Sequence, residues 1–365
     1  MTDKINQFFP DEVFHPGETL SEKLSEEKMS LKEFAMRCDM SEKTINEIVK
    51  GKASISYESS MKFENVLGIP AYFWIKRQSE YDGYRARLDN IKQLEGSVEW
   101  AKQFPVLEME KKGWIAKGKN FIEKTSFILR FFGLSSSIAW EGFYLSQELR
   151  TAFRISLKQV QNPYAVSAWL RKGDIDFRDC EVKNVYNKKL LEDSLPKIRA
   201  IMVAQPDDFF SQLQNVCSEV GIVLLHTPCL TNAPISGATR WVGDVPLIQI
   251  SCRFKRSDNF WFSFFHELGH ILLHGKKDVF LEFDKLSVND KEKEDEADQF
   301  ATKMTFSKEL ESKFIDENDI ITHDSIVSFA KKYKLHPSLI VGRLQHKEII
   351  KYSQFRELLT SIEII

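Results

Sequence analysis

The chain lacks a paired cysteine motif, a long unbroken apolar run and any appreciable net charge, and each absence narrows what it can be. Its five cysteines (Cys38, Cys180, Cys217, Cys229, Cys252) are scattered, odd in number and form no CxxC. That disfavours a disulfide framework and points to reduced thiols in a cytoplasm. The opening MTDKINQFFP has no basic start followed by an apolar stretch, so it does not read as a secretory signal. The most apolar segment, Phe260 to Leu273, is broken by His266, Glu267 and His270, which hydrocarbon would reject, and no membrane partner is expected. A formal net charge of -2 gives no overall field toward nucleic acid, so any DNA affinity must come from a local face.

What is present is enough chain for two or three domains: 365 residues, 42% apolar and 28% charged, the balance of a globular protein with buried cores. From about Gly17 to Leu67 the pattern is one of short helices. Ser30 is the expected N-cap of a helix over Leu31 to Arg37, and Ser41 of one over Glu42 to Val49, which Gly51 ends. Leu31, Phe34 and Ala35, then Ile45, Ile48 and Val49, supply their apolar faces, and Cys-Asp-Met makes the corner between them.

Tyr72 to about Ala204 reads as further helices without a catalytic constellation, a packed helical spacer. One of these is predicted to start at Asn162-Pro163 and to close at Gly173. Beyond Pro206 the period changes. Gly221 to His226 fits a buried strand, and Ala238 to Val242 and Val245 to Ser251 flank Gly243-Asp244, a hairpin signal. Pro246 places the start of the second hairpin strand at a sheet edge. Ser257-Asp258-Asn259 offer N-caps for a long helix that Gly275 closes.

That helix carries His266-Glu-Leu-Gly-His270. Residues four apart lie on one face a turn apart, so both imidazoles can reach one ion, and neutral imidazole suits zinc. Glu267 lies roughly 100° round the helix, wrong for a ligand but right for a general base that takes a proton from an attacking water. Chance alone yields HExxH in on the order of one chain in a hundred of this length, so the surroundings must decide. They are apolar: Trp261, Phe262, Phe264, Phe265, Leu268, Ile271 and Leu272. Three polar side chains buried there would each cost roughly 2 to 7 kcal/mol before compensation, and a metal resolves that cost. A third ligand is expected from the predicted helix that Glu292 to Asp298 opens, whose apolar stripe is Ala297, Phe300, Ala301 and Met304. Direction alone does not separate Glu294 from Glu296, but Asp298 shares the face of Glu294 and can accept the outer N–H of a liganding histidine. His274, one turn beyond His270, curves away from a single ion and reads as a residue behind the ligands or on the surface.

SGATRW (Ser236 to Trp241), FHELGHILLH (Phe265 to His274) and EDEADQFA (Glu294 to Ala301) together resemble the ImmA/IrrE zinc metallopeptidases. In the family's E-x-x-A-[DN] register the metal-binding carboxylate falls on Glu294. The stretch from about His15 to Tyr84, through SLKEFAMRCDMSEKTINEIVKGKASIS and LGIPAYFW, is similar to XRE/HigA-type helix-turn-helix antitoxins and repressors. That likeness implies a recognition helix over Ser41 to Lys50, with Ser41, Lys43, Thr44 and Asn46 toward operator DNA, and a homodimer through this domain.

The expected fold is mainly α with a small β-sheet: a helix-turn-helix bundle (1–84), a helical connecting region (85–205), a zincin-like peptidase core (206–312) and a C-terminal helical segment (313–365). In that last segment Ile326 to Leu344 reads as a packed helical pair whose turn is His336-Pro337. The resemblance implies one zinc per chain on His266, His270 and Glu294, with Glu267 catalytic, and a protein substrate such as a helix-turn-helix repressor. The alternatives are an antitoxin-like regulator with a structural or vestigial metal site, and a peptidase whose N-terminal module docks protein. His226, Arg240, His323 and His336 are the candidates to stabilise an oxyanion.

Overall fold

The structure is a computed structural model that describes residues 12–145, 162–274, 280–283 and 291–364. The chain divides into two compact units, Met1–Gly96 and Ser97–Ile365. No helix among the described residues is long and apolar enough to cross a membrane.

The first unit holds five helices: α1 (Pro16–Glu26), α2 (Leu31–Arg37), α3 (Glu42–Val49), α4 (Tyr57–Leu67) and α5 (Ala71–Gly96). The expected caps are in place. Ser30 Oγ accepts the Glu33 amide at 3.1 Å and Ser41 Oγ the Thr44 amide at 3.0 Å, each relieving an amide that the first turn leaves without a partner. The corner between α2 and α3 turns through Asp39, whose φ of 49° is left-handed. Phe34, Ala35, Ile45 and Ile48 are buried with Leu20, Phe63 and Trp74, while Leu31 and Val49 are partly buried at the edge of that core. Helix α5 runs unbroken through the 84/85 boundary expected from sequence.

The second unit begins with short helices α6 (Val98–Ala101), α7 (Val106–Lys111), α8 (Phe121–Phe132) and α9 (Ser137–Trp140), followed by a π-helical turn at Glu141–Leu145. Then come α10 (Pro163–Arg178), α11 (Lys188–Ala204), α12 (Phe209–Glu219), strands β1 (Val223–His226), β2 (Ile235–Val242) and β3 (Val245–Ile250), and α13 (Ser257–Leu273). Strand β4 (Phe280–Phe283) and helices α14 (Lys291–Thr305), α15 (Lys308–Asp316), α16 (His323–Tyr333) and α17 (Pro337–His346) complete it. Helices α16 and α17 form the expected pair, with His336 as N-cap and Pro337 in the first turn.

The sheet order is β1-β3-β2-β4, with β1 parallel to β3 and the other pairs antiparallel. The hairpin forms as expected, Val242 opposite Val245 across Gly243, whose φ is 63°. Its strand β3 is central, however, which corrects the edge position inferred from Pro246. Pairing with β1 begins only at Leu247, so the proline sits one residue outside the ladder on that side, where a missing N–H costs nothing. Strand β4, which sequence reasoning did not anticipate, covers the outer side of β2 from Ile235 to Thr239.

Two helices sandwich this sheet. α13 lies on the face formed by Leu224, Ile248 and Ile250, burying Phe260, Trp261, Phe264, Phe265 and Leu268 with them. On the opposite face α10 is tied down by polar bonds: Trp169 Nε1 donates to Thr227 O at 2.9 Å, and Gln249 Nε2 donates to Trp169 O at 2.8 Å. Asn162 caps α10 as expected, its Oδ1 accepting the Ala165 amide at 2.9 Å. The helix passes straight through Gly173 to Arg178, contrary to the expected stop. A side chain at Gly173 would collide with Gln249 and Arg240, so this glycine permits close packing on the sheet rather than a helix end.

Candidate functional site

Helix α13 is apolar almost all round and is held at its start by the chain a hundred residues on. Its N-cap is Arg256, with no side-chain cap bond, so the expected capping by Ser257, Asp258 or Asn259 does not occur. Instead the Ser257 amide donates to Thr360 O at 3.0 Å and the Ile362 amide donates to Lys255 O at 3.0 Å. Arg256 donates to both oxygens of Asp258 at 3.0 and 2.8 Å and to Gln345 Oε1 at 3.0 Å. Gly275, expected to close α13, lies outside the described residues, and α13 ends at Leu273.

About one turn from its end, α13 meets α14. A methyl group on Gly269 would stand 3.3 Å from Ala297 Cα, so the two helices approach nearly backbone to backbone. Ala297, Ala301 and Met304 of the expected stripe are buried there, and Phe300 is partly buried. This approach carries the carboxylate of Glu294 onto the histidine face. Glu294 Oε2 is 3.1 Å from His266 Nε2 and its Oε1 is 3.7 Å from His270 Nε2, and the two Nε2 atoms are 3.0 Å apart. Ligand atoms of His266, His270 and Glu294 all lie within 4.8 Å of one another, a group that could hold a metal ion. Glu296, the rival from sequence, points elsewhere: its Oε2 is 3.0 Å from His274 Nε2.

The donor chemistry fits a cation. Asp298 Oδ1 lies 2.8 Å from His266 Nδ1, and an ionised carboxylate only accepts, so His266 carries its proton on Nδ1 and presents a lone pair at Nε2. Burial holds the His270 pKa down to about 4, against the raising influence of Glu294, so this ring is neutral near pH 7. The contacts of Glu294 with the two imidazoles outweigh the burial that would raise it and bring its pKa down to about 2. Two imidazoles and a carboxylate, converging in a buried space, are a donor set that zinc takes.

Glu267 is 0% exposed, His266 3% and His270 1%. The Glu267 carboxylate lies off the histidine face, against β2. A methyl group on Gly237 would stand 2.5 Å from its Oε1, and Thr239 Oγ1 donates to Glu267 O at 3.0 Å. Sequence reasoning quoted Gly237 within SGATRW without a role, although a glycine inside a strand is the usual signal of close approach by a neighbour.

The oxyanion candidates fall elsewhere. Arg240 is on the opposite sheet face from Thr239, where its Nη1 donates to Gln249 Oε1 at 2.8 Å and its Nη2 to Asp174 Oδ1 at 2.8 Å and Leu170 O at 3.2 Å. His336 caps α17 and bonds Ser338, whose Oγ is 3.3 Å from Ser257 Oγ at the far end of α13. His226 packs against Phe210, with its pKa lowered by burial against a backbone bond to Ser251. His323 is half exposed, beside Asp324.

In the first unit, α3 presents its own candidates. Lys43 has 85% of its side chain exposed, 4.0 Å from Glu47. Thr44 and Asn46 are half-buried, and Ile45 and Ile48 anchor the helix behind them. Ser41 is exposed, but its Oγ is engaged in the cap and lies 2.7 Å from Thr44 Oγ1.

Comparison with known proteins fits this division. A helix-turn-helix family model matches residues 20–74, and the IrrE N-terminal-like domain of the M78 peptidases matches 217–345. The second match extends beyond the expected core through α17. An uncharacterised helix-turn-helix transcriptional regulator of Escherichia coli, YddM, is 30% identical over 66 residues, which cover 18% of this chain and 70% of that protein. Solved structures similar to the first unit include the antitoxin HigA of Pseudomonas aeruginosa with its higBA promoter, 34% identical over 23% of this chain and 94% of that one, with a TM-score of 0.22. A HigA-family addiction module antidote protein from Coxiella burnetii is 28% identical over 23% and 91%, also with a TM-score of 0.22. The chain belongs to the helix-turn-helix transcription regulators and carries an IrrE N-terminal-like domain of the M78 peptidase family.

Proposed function

We propose that this chain is a regulator that contacts operator DNA through α3 and hydrolyses a peptide bond of a specific protein, such as a helix-turn-helix repressor, at a zinc site of His266, His270 and Glu294. The observation that carries the reading is the convergence of two imidazoles and a carboxylate, with Asp298 bracing one ring and Glu267 resting against Gly237 of β2. A zinc ion bound there supplies Lewis acidity toward a water and the scissile carbonyl. His266 and His270 present Nε2 lone pairs, and Asp298 fixes the first of these rings. Glu267, held between α13 and β2, takes the proton of the attacking water and passes it to the leaving nitrogen.

The hairpin strands β2 and β3 are interior over most of their length and offer a substrate backbone little free edge. Strand β4 is the outer strand on the β2 side of the sheet among the described residues, and its partner β2 carries Gly237, against which Glu267 rests. Edge pairing along β4 would hold a substrate without demanding particular side chains, leaving selectivity to docking elsewhere.

The test combines metal analysis with Glu267→Gln. The wild type is expected to hold one zinc per chain and to cut its partner protein. Glu267→Gln should keep the zinc and lose about a hundredfold or more in cleavage rate, the usual worth of a positioned base. A Glu267→Gln protein that cuts at the wild-type rate would sink the mechanism. The complete burial of Glu267 favours a second reading, an antitoxin-like regulator whose metal site is structural. A zinc-loaded wild type that represses its operator yet cuts no partner would establish that reading instead.

A further inference from the structure

The two histidines of the candidate site are braced in different ways, and the difference involves His274. His266 meets a carboxylate directly, Nδ1 to Asp298 Oδ1 at 2.8 Å. His270 meets another imidazole: its Nδ1 is 3.1 Å from His274 Nδ1, and His274 Nε2 is in turn 3.0 Å from Glu296 Oε2. The His274 side chain is only 3% exposed, whereas Glu296 is 53% exposed. His270, His274 and Glu296 thus form a chain running from the metal-facing nitrogen out to solvent.

Proton positions along this chain follow from the carboxylate at its outer end. An ionised Glu296 only accepts, so the His274 proton sits on Nε2 and points at it. His274 Nδ1 is then a lone pair, and the bond to His270 can form only if the His270 proton is on Nδ1. That leaves His270 Nε2 unprotonated toward His266 Nε2 and Glu294 Oε1, 3.0 and 3.7 Å away. In the opposite tautomer His270 would aim an N–H into the ligand group.

We infer that His274 and Glu296 are positioning residues that fix the tautomer and ring orientation of His270 and thereby set the affinity of the site for its metal. The inference rests on the metal reading above and explains why a third histidine, the C-cap of α13, stands beside the ligand group without joining it.

The test is zinc affinity in the full-length protein, measured by competition with a chromophoric chelator, alongside thermal unfolding of the metal-free variants. His274→Leu should weaken zinc binding about 10- to 100-fold, the usual cost of losing a partner behind a liganding histidine. Glu296→Ala, whose bond is half exposed, should lose less, about tenfold. His274→Asn should restore most of the affinity, because its amide oxygen can accept the His270 Nδ1–H where leucine cannot. Unchanged affinity in His274→Leu and Glu296→Ala, with zinc lost in His270→Ala, would overturn the inference and leave the metal reading standing. Zinc retained in His270→Ala would overturn both. A drop in His274→Leu that His274→Asn does not restore, accompanied by a lower melting temperature of the metal-free protein, would make His274 a packing residue and also overturn it.

Discussion

Replacing Arg240 with methionine separates a structural arginine from a catalytic one. From sequence Arg240 was a candidate oxyanion donor, but its guanidinium lies on the sheet face that α10 covers, 3% exposed. There it satisfies Gln249 Oε1, Leu170 O and Asp174 Oδ1. Methionine keeps much of the volume and removes every donor. Gln249 Oε1 and Leu170 O would then be left without Arg240, at about 1 to 3 kcal/mol each. Asp174, with 32% of its side chain exposed, can rehydrate and adds little. The sum is about 2 to 6 kcal/mol, a range that includes the cost of breaking one side of a buried pair. For a unit of this size that corresponds to about 4 to 24 °C in Tm. Calorimetry of the full chain reads the shift in the second unit's transition, and zinc content should remain at one per chain. An unchanged Tm together with lost cleavage would refute the argument and return Arg240 to the chemistry.

Gly237→Ala should bind zinc normally yet lower cleavage about a hundredfold, the cost of displacing a reacting group by about 1 Å, because the new methyl stands 2.5 Å from Glu267 Oε1; wild-type rates would show that the Glu267 position is not critical. His15 is buried at the start of α1, its Nδ1 accepting the Gly17 amide at 2.9 Å, and burial lowers its pKa from 6.5 against the pull of Asp82 and Glu18. The unfolded chain therefore takes up the proton first, so this contribution is complete above pH 6.5 and shrinks as pH falls below it. Denaturant midpoints of the first unit's transition should decline on acidification more steeply in the wild type than in His15→Gln. Lys43→Ala should weaken DNA binding equally for all sequences and reduce the salt slope by about one, whereas Asn46→Ala should relax sequence preference; binding assays at several salt concentrations distinguish these from a module that docks protein.

The features legible in the sequence are those governed by a few neighbouring residues. Ser30 and Ser41 cap their helices as expected, and Asn162 and Pro163 open α10, because a cap is a contact within one turn. The spacing of His266 and His270 likewise brings their rings together without help from the rest of the fold. Where the reading failed, one residue served two physical ends. Gly173 looked like a helix terminator but makes room for Gln249 and Arg240, and Pro246 suggested an edge strand but needs only one free residue beyond the end of β1. The choice between Glu294 and Glu296 was beyond helical geometry alone, since it depends on how far α14 slides along α13, and the close approach at Gly269 and Ala297 sets that offset. Strand β4 is short, and its pairing with β2 joins segments on either side of α13, so no local pattern announced it.

The bonds from Ser257 to Thr360 and from Ile362 to Lys255 also bear on synthesis. The first turn of the histidine helix leaves the ribosome long before the segment that completes it, so a nascent chain stopped short of Thr360 carries all of HExxH on a helix whose entrance is unfinished. Contacts this distant in sequence close late, after the local helices have formed. The entrance of α13 is therefore completed only after residues 360–362 have been made and docked.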